Sequence, residues 1–177
     1  VANRQDWLDA GLVILAEHGA PGLTIERLMA RLELTKGSFY HHFKGMPGFK
    51  TALLEHYEAT MTTRYIETAL AGDPAPEEKI KRLLELVAKE PTSDPEVAIR
   101  AWAMQDQDVA AMLRRVDHTR IEFLRTVWRE RSGDPAASEV MGKLLYLILV
   151  GANHMLPPIT GRELRALYAV VLGADFG

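Results

Sequence analysis

Between Leu34 and Lys50 the chain reads LTKGSFYHHFKGMPGFK, with three lysines, two histidines, four aromatics and no Asp or Glu. The chain as a whole carries a net charge of −3, so this stretch runs against its surroundings. Lys36 and Lys44 offer cations, and Thr35, Ser38 and Tyr40 offer hydroxyl donors. His41 stands among them, and Gly37 lets a backbone come close to a partner. The chemistry this set can do is hold anionic oxygen. A nucleic-acid backbone presents such oxygens densely, and a surface that meets it does best without carboxylates.

Other residues could do other chemistry. His118 and Glu122 stand at i, i+4, and Glu55 adjoins His56. Helical bundles hold metals with Glu and His on facing helices, but the paired E-x-x-H motifs are absent here. We read the His–Glu pair as a surface ion pair. No nucleophile elbow, phosphate loop or dinucleotide fingerprint occurs. We therefore expect no catalytic residue, no metal and no cofactor, and not an enzyme. A helical-bundle metal enzyme and a protein-only adaptor are the competing classes. An adaptor needs no acid-free helix, so substituting Lys36 and Tyr40 discriminates it.

Composition narrows the field further. At 177 residues, 47% of them hydrophobic, the chain can bury a real core. It has no cysteine, which excludes disulfides and thiolate metal sites. VANRQDWLDAGLVILAEHG carries charge on both sides of a short apolar run and does not read as a signal peptide. The best membrane candidate, LLYLILVGANHML, is short and interrupted, so we expect no membrane partner and a cytoplasmic location. The chain opens on Val1, so we expect a short native leader ahead of it.

The elements that must position the acid-free stretch are helices. No alternating β-branched run marks a strand, whereas Trp7, Leu8, Gly11, Leu12, Leu15 and Ala16 recur at threes and fours before Gly19, a C-cap. Thr24 caps a second helix with Ile25, Leu28, Met29 and Leu32 on one face. Thr35 caps a third, which turns Phe39 and Phe43 inward. Pro47 opens a fourth that runs to about Leu70, where AGDPAPEE breaks the chain. Further helices are expected near 77–89, 95–105, 109–131, 136–156 and 160–172, with a turn at EPTSDP. The fold class is all-α, near nine helices. Residues 1–46 form the head and 47–177 a helical second domain, connected by the helix at about 47–70.

Two short helices joined by so tight a corner, backed by a preceding helix, have helix-turn-helix geometry. LTIERLMARLELTKGSFYHHFKG is similar to the DNA-binding region of TetR-family transcriptional regulators, whose pattern is matched by Thr35-Lys36-Gly37-Ser38-Phe39-Tyr40-His41-His42-Phe43. The resemblance covers about Arg4 to Tyr57. It implies a homodimer with two DNA-binding heads, a double-stranded DNA operator, and a helical C-terminal domain that takes a small effector. Thr24 is implied as a phosphate contact. Thr35, Lys36, Gly37 and Ser38 are implied to open the recognition helix onto base edges and phosphate. Tyr40 is implied to donate to phosphate, His41 to lie beside the groove, and Lys44 with the amides near Gly45 to hold the backbone. Two positions depart from the family pattern. Glu33 stands where Gly is common, predicting a strained corner. Met46 stands where Lys is common, and Lys44 or Lys50 is expected to substitute.

In the second half, Trp102, Met104, Met112, Phe123, Trp128, Tyr146 and His154 lie on expected helices. The plain reading of each is core. The functional reading, which the resemblance favours, is that some line an effector pocket. Aromatics and methionines suit a loose apolar cavity, so a mostly apolar effector is expected. GKLLYLILVGAN and RELRALYAVVLG are apolar on more than one face, a surplus that pairing with a second subunit would bury.

Overall fold

The computed structural model describes residues 3–88 and 95–173. Its described residues hold ten α-helical segments and no strand: α1 Arg4–His18, α2 Ile25–Leu32, α3 Lys36–His42, α4 Gly45–Glu58, α5 Arg64–Leu70, α6 Pro76–Val87, α7 Glu96–Ala103, α8 Gln107–Ser132, α9 Pro135–His154 and α10 Gly161–Leu172. The fold is all-α, as expected. A π-helical turn, Ala59–Thr63, joins α4 to α5, so the expected single helix from Pro47 to Leu70 is one continuous helical path with a defect in it. The expected turn at EPTSDP falls on 90–95, of which 90–94 lie outside the described residues.

The chain divides into two compact units, 1–60 with 92–114 and 61–91 with 115–177. The boundary does not coincide with the sequence division at residue 46, and packing explains why. Phe49, Ala52 and Leu53 of α4 are buried in the same cluster as Trp7, Ile14, Leu28 and Phe39, with Trp102 of α7 packed against it. Trp7 and Phe39 meet edge to face at 5.5 Å. Helices α1 and α4 approach closely at Gly11, where a Cβ would stand 2.7 Å from Phe49 Cζ. Local chemistry starts and stops α1. Asn3 and Asp6 form a reciprocal capping box, and Gly19, at φ 66°, returns its N–H to Leu15.

The second unit is built on α6, α9, α10 and the later part of α8. Residues Phe123, Leu124 and Val127 stand on one face of the later part of α8. They pack with Ile80, Leu84, Leu145, Leu164, Tyr168 and Leu172. Tyr168 donates its buried phenol to Leu145 O at 2.7 Å, and burial pushes its ionisation up.

Helix α9 corrects one expectation. By length and composition it is long enough and apolar enough to cross a membrane. The run from Leu144 is the later part of a longer helix, which Pro135 and its Asp134 cap start one residue before the expected Ala136. One face, with Gly142, Leu145, Tyr146 and Ala152, is buried in the second core.

Candidate nucleic-acid interface

The corner between α2 and α3 is set by its caps. Thr24 Oγ1 accepts the Arg27 N–H at 3.2 Å, and Thr35 Oγ1 accepts the Ser38 N–H at 3.4 Å. Each hydroxyl keeps its own hydrogen as a donor to a partner. Between the caps Glu33 takes φ 55° and ψ 41°, the left-handed conformation that Gly adopts at no steric cost. The expected strain at this corner is present.

Helix α3 then sorts its side chains. Phe39 and Phe43 are buried, while Thr35, Lys36, Gly37, Tyr40, His41 and Lys44 are exposed and Ser38 is half-buried. Tyr40 is 52% exposed with its ring edge-on to Phe39, which fixes the ring and leaves the phenol in solvent. His42 is half-buried between His41 and Phe43, with ring centroids at 5.0 and 6.2 Å. Thr24 is half-buried at the mouth of α2.

Charge at the helix starts singles out the same surface. Asp or Glu stands in the first turn of α1, α2, α5, α6, α7, α8 and α10, and Asp134 caps α9. Helices α3 and α4 have neither: Lys36 begins α3, and Lys44 is the N-cap of α4 without a side-chain cap bond. A cation there opposes the helix dipole by about 0.3–1 kcal/mol. The fold gains nothing from that arrangement, whereas a phosphate would be held by the lysines and first-turn amides together. What the arrangement can do chemically is bind anions.

Lys50 is withdrawn from this surface. It donates to Asp106 Oδ2 at 2.7 Å and Asp108 Oδ2 at 3.0 Å, and it lies 5.9 Å from the Trp102 ring centroid. Burial opposes its charge, but the two carboxylates outweigh that and raise its pKa; the same bond from Lys50 lowers that of Asp106. Asp106 also accepts the N–H groups of Asp108 and Val109, capping α8. Of the two lysines expected to substitute for the missing one at position 46, Lys50 is thus ion-paired, while Lys44 is exposed. Sequence reasoning missed a different cation. Arg4, the first residue of α1, stacks its guanidinium 5.4 Å from the Phe43 ring centroid, at the seam where α3 ends and α4 begins. Its signal was an arginine at a helix start.

The residues expected to line an effector pocket are divided between the two units. Trp102, Met104 and Met112 belong to the first unit, and Phe123, Trp128, Tyr146 and His154 to the second. Trp102 takes the inward position at the end of α7, which turns Met104, two residues on, out to 88% exposure. His154 is exposed at the end of α9, its ring bonded to Val150 O at 2.8 Å. Neither Met104 nor His154 packs in a core. Met112 is buried in the first unit. Phe123 and Tyr146 are buried in the second core, and Trp128 packs against it under the Arg131 guanidinium. Tyr146 donates to Asp117 Oδ1 at 2.6 Å, and Arg120 beside it donates to Thr62 Oγ1 and Met61 O of the π-helical turn, at 3.0 and 3.1 Å. Of the metal candidates, Glu122 is bonded to Arg125, and among the described residues no group of three His, Asp or Glu could hold an ion.

Comparison with known proteins bears on the same stretch. Residues 8–56 match the family model described as bacterial regulatory proteins, tetR family. The HTH-type transcriptional repressor NemR of Escherichia coli K12 is 31% identical over 71 residues, which is 40% of this chain and 36% of NemR. The transcriptional regulator AcuR of Cereibacter sphaeroides is 31% identical over 86 residues, 49% of this chain and 39% of AcuR. The matched stretch thus spans little more than a third of these curated relatives. The fold extends further. The crystal structure of E. coli NemR in its reduced form superposes with a TM-score of 0.69 at 22% identity, covering 97% of this chain and 88% of that one. A regulatory protein TetR from Rhodobacter sphaeroides gives 0.60 at 21%, covering 84% and 87%.

Proposed function

We propose that this chain, whose head belongs to the TetR family of bacterial regulatory proteins and whose fold is that of solved TetR-family proteins, is a DNA-binding transcriptional regulator. One observation carries the reading. The acid-free surface of α3 and of the α4 start lies on the stretch that matches the family, with Lys36, Tyr40 and Lys44 exposed over a buried Phe39–Phe43 base. Thr24, Thr35, Lys36, Gly37, Ser38, Tyr40, His41 and Lys44 are its DNA-contacting residues. Phosphate contacts position the head, and base edges met by the start of α3 give sequence selection. A protein that reads DNA works where the chromosome is, which in a bacterium is the cytoplasm.

The active form is a homodimer paired through α9 and α10. Val140, Leu147 and Val170 are 66%, 64% and 82% exposed. Val140, Leu144, Leu147 and Gly151 stand at the i, i+4, i+7 and i+11 positions of one helix face, and a Cβ at Gly151 would meet nothing within 4 Å. That face is an apolar stripe with room for close approach. Two heads then read half-sites about 34–36 Å apart on an approximately palindromic operator.

The regulator is a repressor released by a small, mostly apolar effector. Binding draws the dimer towards a state that does not fit the operator, and affinity falls only by the effector's preference for that state.

The test is fluorescence anisotropy with duplex DNA from the intergenic region upstream of its own gene, for the wild type and for Lys36→Ala/Tyr40→Phe. The wild type is expected to bind selectively and to weaken with salt. The double variant should lose about tenfold or more, at roughly 1–3 kcal/mol for the base-edge contact of Lys36 together with the loss of Tyr40's phosphate contact. Equal binding by the two proteins, or no selectivity in the wild type, would refute the reading.

A further inference from the structure

We infer that Arg4 is a DNA-phosphate contact of the head, standing in for the missing lysine at Met46; the inference rests on the reading of this head as a DNA reader. The head's cations differ in whether a carboxylate holds them. Arg31 is held by Glu17 through two bonds of 2.7 and 3.3 Å, and Lys50 by Asp106 and Asp108. Among the described residues Arg4, Arg27, Lys36 and Lys44 have no carboxylate within ion-pair distance, and of these Arg27 stands on α2, outside the acid-free stretch and beside Glu26. Lys36 and Lys44 lie on the acid-free surface already described. Arg4 belongs with them by position, because its guanidinium lies over Phe43, and the residue after Phe43 is Lys44, the N-cap of α4.

Three features of the side chain suit the role. It is the first residue of α1, where the helix dipole opposes a cation, so its charge is not there for the stability of α1. Stacking on the Phe43 ring orders the long stem before binding, which reduces the entropy lost on contact. An aromatic ring also leaves the edge of the guanidinium fork, with its N–H donors, open to a phosphate, which takes that fork bidentately. Arg4, Lys44 and the first amides of α4 then form one clamp on the sugar–phosphate strand at the end of α3.

The test uses the full chain and two labelled duplexes, one from the upstream intergenic region and one a scrambled sequence of the same composition. Affinity is measured across a salt series from about 50 to 200 mM. A phosphate contact acts on both duplexes alike. Arg4→Gln is expected to lower the slope of log affinity against log salt by about 0.9 per head, which at about 0.1 M salt is about eightfold in affinity per head. Arg4→Lys should keep most of the slope. Arg31→Gln and Lys50→Gln, whose cations are already paired, should leave it unchanged. Thermal midpoints by circular dichroism separate a folding defect from a lost contact. An unchanged slope in Arg4→Gln overturns the inference, as does weakening confined to the upstream duplex. If the wild type binds neither duplex even at low salt, the DNA reading fails and takes this inference with it.

Discussion

Glu33 occupies a left-handed backbone conformation, φ 55° and ψ 41°, that an L side chain adopts at a cost of about 1–2 kcal/mol. Glu33→Gly should therefore stabilise the head by about 1 kcal/mol, read as a higher urea midpoint, less whatever Gly adds to the entropy of the unfolded chain. Glu33→Ala keeps the strained φ and should show no such gain. A Gly variant no more stable than the Ala variant would mean that the corner carries no strain. At this scale, what was legible in the sequence was local. Thr24 and Thr35 could be read as caps because each bonds an amide three residues on. The fate of Lys50 could not be read, because its carboxylate partner Asp106 is 56 positions away. Arg4 was missed for the same reason: the ring it stacks on is Phe43.

The helices were legible almost throughout, since capping, apolar period and breaking residues act within a few positions. Helix α10 runs Gly161–Leu172 behind its Thr160 cap, as the sequence reading had it. The π-helical turn at Ala59–Thr63 was not legible. It falls in a run without Gly or Pro, and Arg120, far along the chain, donates to Met61 O and Thr62 Oγ1 within it. Close backbone approaches were equally hidden. A Cβ on Gly161 would stand 2.0 Å from Ala88 O, a backbone atom that cannot rotate aside. Gly161→Ala should accordingly cost about 1–3 kcal/mol through overpacking, seen as a lower thermal midpoint with the helical content retained. An unchanged midpoint would show that the start of α10 can shift away from Ala88 without loss.

At the scale of the whole molecule the apolar face of α9 and α10 is the decisive feature. Leu147→Glu with Val170→Glu places two charges on exposed positions, so the subunit fold should survive. Light scattering after size exclusion should then report a monomer, and operator affinity should fall as the two heads lose their linked binding. A double variant that remains dimeric would move the interface elsewhere. The sequence by itself determined the all-α class, the helix-turn-helix and the acid-free surface, because these follow from periodicity, caps and charge over short spans. Tertiary structure alone decided which cations remain open and which aromatics share a core. It kept Lys50 in an ion pair, seated Trp102 against the head, turned Met104 outward and laid Arg4 over Phe43. The physical reason is distance along the chain. A residue's type fixes what it can bind, but folding fixes what is near enough to be bound.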